Sequence, residues 1–495
     1  MTPLIFDWAK RTPDSTAMIY NGRPWPYRTF ANAIAVARGY FARRGYVGPG
    51  YAALFCDNQQ GFWVFSLALR SLGLTIVDLR PAGAAGLPGL PNMRGVITIP
   101  GERWAGLLES RCTELGLRLE SVSLADEAPL GLDASQPMGG HILLTSGTTG
   151  IPKMVVMSAD RDAGLARLHG GLLGMNQHTV FSVFHYTPWT GLCYKWAISA
   201  WTVGGAVLIE QQPQALLRPG ITHAVMTPQL LAQVLAAPAG AFTRNDEMRL
   251  AIGAGASPQR DIDQAKSRIT PHLFSYIAST ETGLYAFTPL ETAEDLKWHR
   301  LVPGARLVEM VDESDRPVPA GEIGRVRVST AGGPTGYLND EAATRTFFKD
   351  GFFYPGDLSI MRSDGRMALQ GRSTDVINVR GLKMSPAPIE ERLSERLGVS
   401  GVCLFTMPDD NGLDVVHVVI ESPKKIDTEQ LIAAVKQELP GAFHRANFYF
   451  FAALPRSELG KVLRQAVRAE AIARQPKVVR GNAPQSEQDP AGPAQ

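Results

Sequence analysis

Residues 142–153 read Ile-Leu-Leu-Thr-Ser-Gly-Thr-Thr-Gly-Ile-Pro-Lys, an apolar strand that runs into a loop of hydroxyls and glycines and ends on a lysine. Glycines let backbone N–H groups approach an anion closely, Ser146, Thr148 and Thr149 add donors, and Lys153 supplies a point charge, so the loop suits phosphate. It is not the common NTPase loop, which needs Gly-Lys-Ser/Thr at its end; here Pro152 separates Lys153 from Gly150-Ile151. A surface turn rich in the same residues is the plainer alternative.

The chain around this segment has α/β grammar. An amphipathic helix is expected at 29–43 and a strand at 51–55. Phe62, Phe65, Leu69 and Leu72 then recur at three- and four-residue steps, the spacing of one buried helix face, before a strand at 74–79. Further strands are expected at 206–209 and 223–226, antiparallel ones between 301 and 330, and a hairpin at Asp364-Gly365. After about residue 374 the pattern restarts: Ile389, Leu393 and Leu397 form a helical stripe, 402–405 and 415–420 read as strands, and Asp427 is a candidate N-cap with Gln430 three residues on.

Composition excludes several classes. The 49 basic and 47 acidic side chains leave a formal charge of +2, without the surplus that would attract a nucleic-acid backbone or an anionic membrane. Cys56, Cys112, Cys193 and Cys403 lie far apart with no CxxC spacing, which fits reduced thiols in a cytoplasmic enzyme. Asp7 comes too early for a signal peptide, and the apolar stretches break before the ~20 residues of a membrane span, so a soluble protein is expected.

Further segments carry chemistry. Gly253-Ala254-Gly255 is a turn of small residues, Thr280-Glu281 ends the run Tyr276-Ile277-Ala278-Ser-Thr-Glu, and Asp357 lies in Tyr-Pro-Gly-Asp-Leu. Gly371-Arg372-Ser-Thr374-Asp375 leads to Gly381, and Leu-Pro-Arg-Ser-Glu-Leu-Gly precedes Lys461. Taken singly, each is explained as well by an ordinary turn or a solvated surface residue.

Together, in this order, they resemble the adenylate-forming superfamily, whose members include acyl- and aryl-CoA synthetases, adenylation domains of peptide synthetases and beetle luciferases. The resemblance runs from about Pro26 to Arg464. It implies a large N-terminal α/β domain of several subdomains with mixed sheets, 1–373, and a small mobile α+β domain, 374–480. The last residues, 481–495, rich in Pro, Gln, Ala and Gly, are expected to be a disordered tail.

By the same resemblance Thr145, Ser146, Gly147, Thr148, Thr149, Gly150 and Lys153 cradle the β- and γ-phosphates of ATP. Thr280 reaches the α-phosphate, and Glu281 holds magnesium. Gly253, Ala254, Gly255, Ile277, Ala278, Asp357 and Arg372 contact adenine and ribose. Thr374 marks the hinge and Gly381 the thiol tunnel. Lys461 bridges the attacking carboxylate and the phosphate, two anions that must approach within bonding distance. Met154, Ile277, Ala278 and Thr374 depart from the family pattern.

The acid pocket is expected between the phosphate loop and Thr280, in the aromatic stretch 181–196, with either His185 or Trp189 ahead of Gly191. No Asp or Glu occurs from 163 to 209, so a free α-amino acid would bury its ammonium unpaired. An aryl or medium-sized aliphatic acid fits better. Lys195 is expected to face solvent, the alternative being a partner for a second carboxylate or a polar substituent on the acid. The acceptor of the acyl group is most simply coenzyme A, with a carrier-protein phosphopantetheine or an amine as alternatives, and a non-catalytic nucleotide binder stands apart from all of these.

Overall fold

The computed structural model describes residues 1–56, 58–78, 90–100, 105–124, 127–133, 136–145, 153–184, 191–210, 218–238, 240–304, 306–375, 377–379, 382–408, 414–422, 426–439, 446–457, 460, 462–474 and 477–478. The chain groups into two compact units. The first comprises Met1–Glu309, Val326–Pro355 and Arg362–Met367, the second Met310–Arg325, Gly356–Met361 and Ala368–Gln495.

Two mixed sheets organise the first unit. In one, the order is Leu119–Ser121, Met93–Thr98, Tyr51–Leu54, Thr75–Asp78, His141–Thr145, Lys153–Met157, parallel until the last pair, which is antiparallel. In the other, Gly283–Pro289, His272–Ser279, Arg249–Gly253, His223–Met226, Val180–Phe184, Ala206–Glu210, Thr16–Tyr20 and Arg23–Pro26 follow one another, parallel except at both ends. All four residues of the strand His223–Met226 are buried, as a parallel strand covered on both faces requires. Such sheets present ligands at the carboxyl ends of their strands. Thr145, Gly253 and Ser279 each end a strand there.

The helix Gln59–Arg70 begins at Asn58, whose side chain accepts from Gly61 N–H, and it buries Phe62, Phe65 and Leu69 as their spacing predicts. At its end Arg70 donates to Asp162 at 2.8 Å and to the Gly139 carbonyl at 3.0 Å. Tyr194 adds its hydroxyl to Asp162 at 2.7 Å and also bonds Arg70, so a fully buried charge pair ties together helices far apart in sequence. The hairpin expected at Asp364-Gly365 is present: Gly365 takes φ +80° and donates to the Arg362 carbonyl at 2.9 Å.

In the second unit Asp414–Glu421 pairs antiparallel with Gly401–Pro408 and parallel with Ala446–Phe451. Helix Ala387–Leu397 buries Ile389, Leu393 and Leu397 in a core with Val402, Leu404, Val418 and Phe448. Asp427 caps helix Thr428–Glu438, accepting from Glu429 N–H at 3.3 Å. Gln430 does not complete a reciprocal capping box. Its side-chain amide turns instead to the Arg396 carbonyl at 3.4 Å, a backbone acceptor on the neighbouring helix. The four cysteines are free and buried. Among the described residues no helix is long and apolar enough to cross a membrane.

Candidate active site

The predicted phosphate loop joins two paired strands. Thr145 and Lys153 stand directly opposite each other as the last antiparallel pair, so the two ends of the glycine- and hydroxyl-rich segment are held side by side. Ser146, Gly147, Thr148, Thr149 and Gly150 themselves lie outside the described residues. The Lys153 ammonium stands 3.8 Å from the centroid of the Phe347 ring and 5.1 Å from that of Tyr337, where ring quadrupoles favour a cation. Burial lowers its pKa, and the nearby Asp340 and Glu281 carboxylates oppose that shift.

Thr280 and Glu281 occupy the tight turn between strands His272–Ser279 and Gly283–Pro289, closed by the Ser279 and Gly283 pair. The Ser279 hydroxyl accepts from Thr282 N–H at 3.0 Å and meets the Thr282 hydroxyl at 2.8 Å, and Gly283 takes φ +79° with Leu165 against its Cα. Glu281 is buried, and its Oε1 accepts the Tyr337 hydroxyl at 2.7 Å. Among the described residues Oε2 has no hydrogen-bond partner. One anchored carboxylate with a spare oxygen suits magnesium, which is held by one or two carboxylates together with substrate phosphates rather than by an all-protein cage.

Gly253 ends its strand against Tyr276, whose ring would lie 2.3 Å from any Cβ at that position. Ala254 then adopts φ +69°, a left-handed conformation that favours glycine, and a Cβ on Gly255 would face Pro228. Tyr276 is buried, packed edge-on against Trp196 at 5.7 Å, while Ile277 is partly buried and Ala278 exposed. Alternation along the strand therefore turns Tyr276 inward and sends Ile277 to the other face.

Gly191 opens helix Gly191–Thr202, and a Cβ there would lie 3.6 Å from the Thr280 hydroxyl, 3.9 Å from Leu143 and 4.0 Å from Lys195. Glycine thus leaves open a space beside Thr280. His185 and Trp189 are outside the described residues. Lys195 does not face solvent as expected. It is buried, 5% exposed, because its stem runs inward along the helix to backbone acceptors: Nζ donates to the Thr280 carbonyl at 3.1 Å and to that of Ser279 at 3.4 Å. Burial, with help from Arg161, pushes its pKa down to about 8, against the attraction of Glu281 and Asp162.

In the second unit Asp357 pairs with Arg372, Oδ1 to Nε at 3.3 Å. Ser373 closes the turn ahead of Asp357 by donating to the Gly356 carbonyl from N–H at 2.8 Å and from Oγ at 3.1 Å. Thr374 sits in the 3-10 turn Ser373–Asp375. Gly381 and Lys461 lie outside the described residues, but the flanks of Lys461 do not: Arg456 bridges to Val462 through the backbone, donates to the Gly460 carbonyl at 3.1 Å and pairs with Glu421 at 2.6 Å. Arg464 then joins this loop to the 3-10 turn, bonding Asp375 at 2.9 Å and both oxygens of Glu390.

Residues 132–338, which contain this strand pair and the Thr280–Glu281 turn, match the AMP-binding enzyme family. Over this segment the chain is similar to the adenylate-forming superfamily, as its motifs imply. Over 96% of its length it is 25% identical to 4-hydroxybutyrate–CoA ligase 2 of Metallosphaera sedula, covering 95% of that protein. Over 94% it is 24% identical to a probable non-canonical nonribosomal peptide synthetase, CymA, of Salinispora arenicola, of which it spans only 6%. The fold is similar to that of o-succinylbenzoate coenzyme A synthetase from Bacillus subtilis in complex with ATP and magnesium. The TM-score is 0.81 at 19% identity, covering 94% of this chain and 99% of that one.

The chain thus brings Thr145, Lys153, Gly191, Thr280 and Glu281 together in its first unit, with Tyr337 between Lys153 and Glu281, and pairs Asp357 with Arg372 in its second. Sequence reading missed Tyr337 and Arg161. Tyr337 lies 56 residues from Glu281 and Arg161 lies 120, with no spacing rule to connect them.

Proposed function

We propose that this protein is an adenylate-forming acid–thiol ligase. It activates an aryl or medium aliphatic carboxylic acid as the acyl-adenylate, releasing pyrophosphate from ATP, and transfers the acyl group to coenzyme A. The reading is carried by the convergence of Lys153, Tyr337 and Glu281: a cation and an anchored carboxylate at the end of a glycine- and hydroxyl-rich segment.

Lys153 and the backbone of 146–150 draw the β- and γ-phosphates, and Thr280 donates to the α-phosphate. Glu281, oriented by Tyr337, is the magnesium ligand; the bound cation would offset charge on the departing pyrophosphate. Asp357 accepts from the ribose hydroxyls and Arg372 contacts the nucleotide, with Gly253, Ala254, Gly255, Ile277 and Ala278 against the base. Lys461 neutralises the approach of the carboxylate to the phosphorus. Thr374 marks the hinge, Gly381 the thiol path, and His185, Trp189 and Gly191 the acid pocket. Asp162 is committed to Arg70 and Tyr194, which supports an acid without an α-ammonium group.

A carrier-protein thiol is the second reading, favoured by the match to a peptide synthetase over most of this chain. Acid-dependent exchange of labelled pyrophosphate into ATP across a panel of acids tests adenylation, and no exchange with any acid despite ATP binding would sink it. Trapping the adenylate with coenzyme A, a carrier protein or an amine then separates the acceptors.

A further inference from the structure

The carbonyls of Ser279, Thr280 and Glu281 are all taken by buried cations. Lys195 Nζ donates to Thr280 O at 3.1 Å and Ser279 O at 3.4 Å, and Arg161 Nη2 donates to Glu281 O at 2.7 Å. The cations come from different helices, Ala159–Leu173 and Gly191–Thr202, and both are less than 10% exposed. Among the described residues neither has a carboxylate within ion-pair distance. A turn at a hairpin tip ordinarily satisfies its carbonyls with water, at about 0–2 kcal/mol for each water held. Burying two cations for that task is expensive and hairpin formation does not require it.

Arg161 does more. Its Nη1 donates to the Gly332 carbonyl at 3.1 Å, so one guanidinium grips both the Glu281 backbone and the segment that leads to Tyr337, the residue bonded to the Glu281 carboxylate. Ser158 caps the helix with its hydroxyl on Arg161 N–H at 3.2 Å, fixing the base of that side chain.

We propose that Lys195 and Arg161 are positioning residues for the Thr280–Glu281 pair: they immobilise its backbone from behind so that hydroxyl and carboxylate meet the magnesium-bound nucleotide in one conformation. The inference rests on the reading of Glu281 as the magnesium ligand. Such outer partners are typically worth about 10- to 100-fold in metal affinity.

Calorimetric titration of ATP into the full chain, over a series of magnesium concentrations and in EDTA, tests this without knowledge of the acid. Wild type should bind ATP more tightly with magnesium, and Glu281→Gln should lose that gain. Lys195→Met and Arg161→Lys should each raise the magnesium concentration for half of the gain by about tenfold, with ATP affinity in EDTA falling much less, since only the Thr280 contact is then disturbed, and Lys195→Arg should restore most of it. A wild-type magnesium response in both variants, alongside a lost response in Glu281→Gln, would overturn the positioning role alone. A wild-type response in Glu281→Gln would overturn the metal reading and the inference with it. Equal weakening in EDTA and magnesium would mark a structural role only and also overturn the proposal. If Lys195→Met does not fold, Arg161→Lys decides, because it keeps the charge and loses only the fork.

Discussion

Tyr337 donates its hydroxyl to Glu281 at 2.7 Å while its ring faces the Lys153 ammonium 5.1 Å away, so one side chain serves an anion at its tip and a cation on its face. A hydrogen bond to a charged acceptor is worth about 1.5–3 kcal/mol. Tyr337→Phe should therefore lower acid-dependent pyrophosphate exchange by about tenfold or more, and leave KM for the acid unchanged. Tyr337→Leu removes the ring face as well and should be slower still. Exchange at the wild-type rate in Tyr337→Phe would remove Tyr337 from the site.

The Arg70, Asp162 and Tyr194 cluster should dominate the stability of the first unit. Asp162→Asn leaves the guanidinium buried without its counter-charge, a loss of about 3–5 kcal/mol. Tyr194→Phe removes both hydrogen bonds of the hydroxyl but keeps the charge pair, and should cost about 1–3 kcal/mol. Urea midpoints rank the two, and the reverse order would show that the charge pair does not anchor the unit.

Acid should destabilise the protein through its buried histidines. Burial holds His223 down at about 4, with its Nε2 3.2 Å from the Leu173 carbonyl. The unfolded chain, titrating near 6.5, takes up the proton first, so stability falls as pH drops from about 6.5 to 4, by at most about 1.4 kcal/mol per unit from this group. His169 at about 3 and His417 at about 4 act in the same direction. Thermal midpoints between pH 7.5 and 4 should decline less steeply in His223→Gln; an unchanged slope would contradict the assignment.

The turn at 253–255 makes opposite predictions for neighbouring residues. Gly253→Ala forces a methyl into the Tyr276 ring, which Trp196 already confines, and overpacking of this kind typically costs 1–3 kcal/mol. Ala254→Gly relieves a left-handed alanine worth about 1–2 kcal/mol, less about 0.4–1 kcal/mol for the freer unfolded chain, leaving a gain of roughly 0.5 kcal/mol. Denaturant unfolding of both variants reads the two signs.

Much of the fold is legible because its rules are local. The face of Phe62, Phe65 and Leu69, the strand His223–Met226 and the turn at Gly365 follow from spacing and from backbone demands that only certain residues meet. Lys195 departs from its local pattern. A lysine amid aromatic residues reads as a solvated charge until the carbonyls of Ser279 and Thr280 are seen beside it.

Short-range pattern alone marks the strand that leads into the glycine- and hydroxyl-rich segment and sets Thr280-Glu281 after it along the chain, since glycines, hydroxyls and apolar runs record what the backbone must do within a few positions. Tertiary structure alone decided what surrounds them. Tyr337, Arg161 and Lys195 reach the turn across 56, 120 and 85 residues, and such contacts depend on how sheets and helices stack, which no short-range pattern of residue types records.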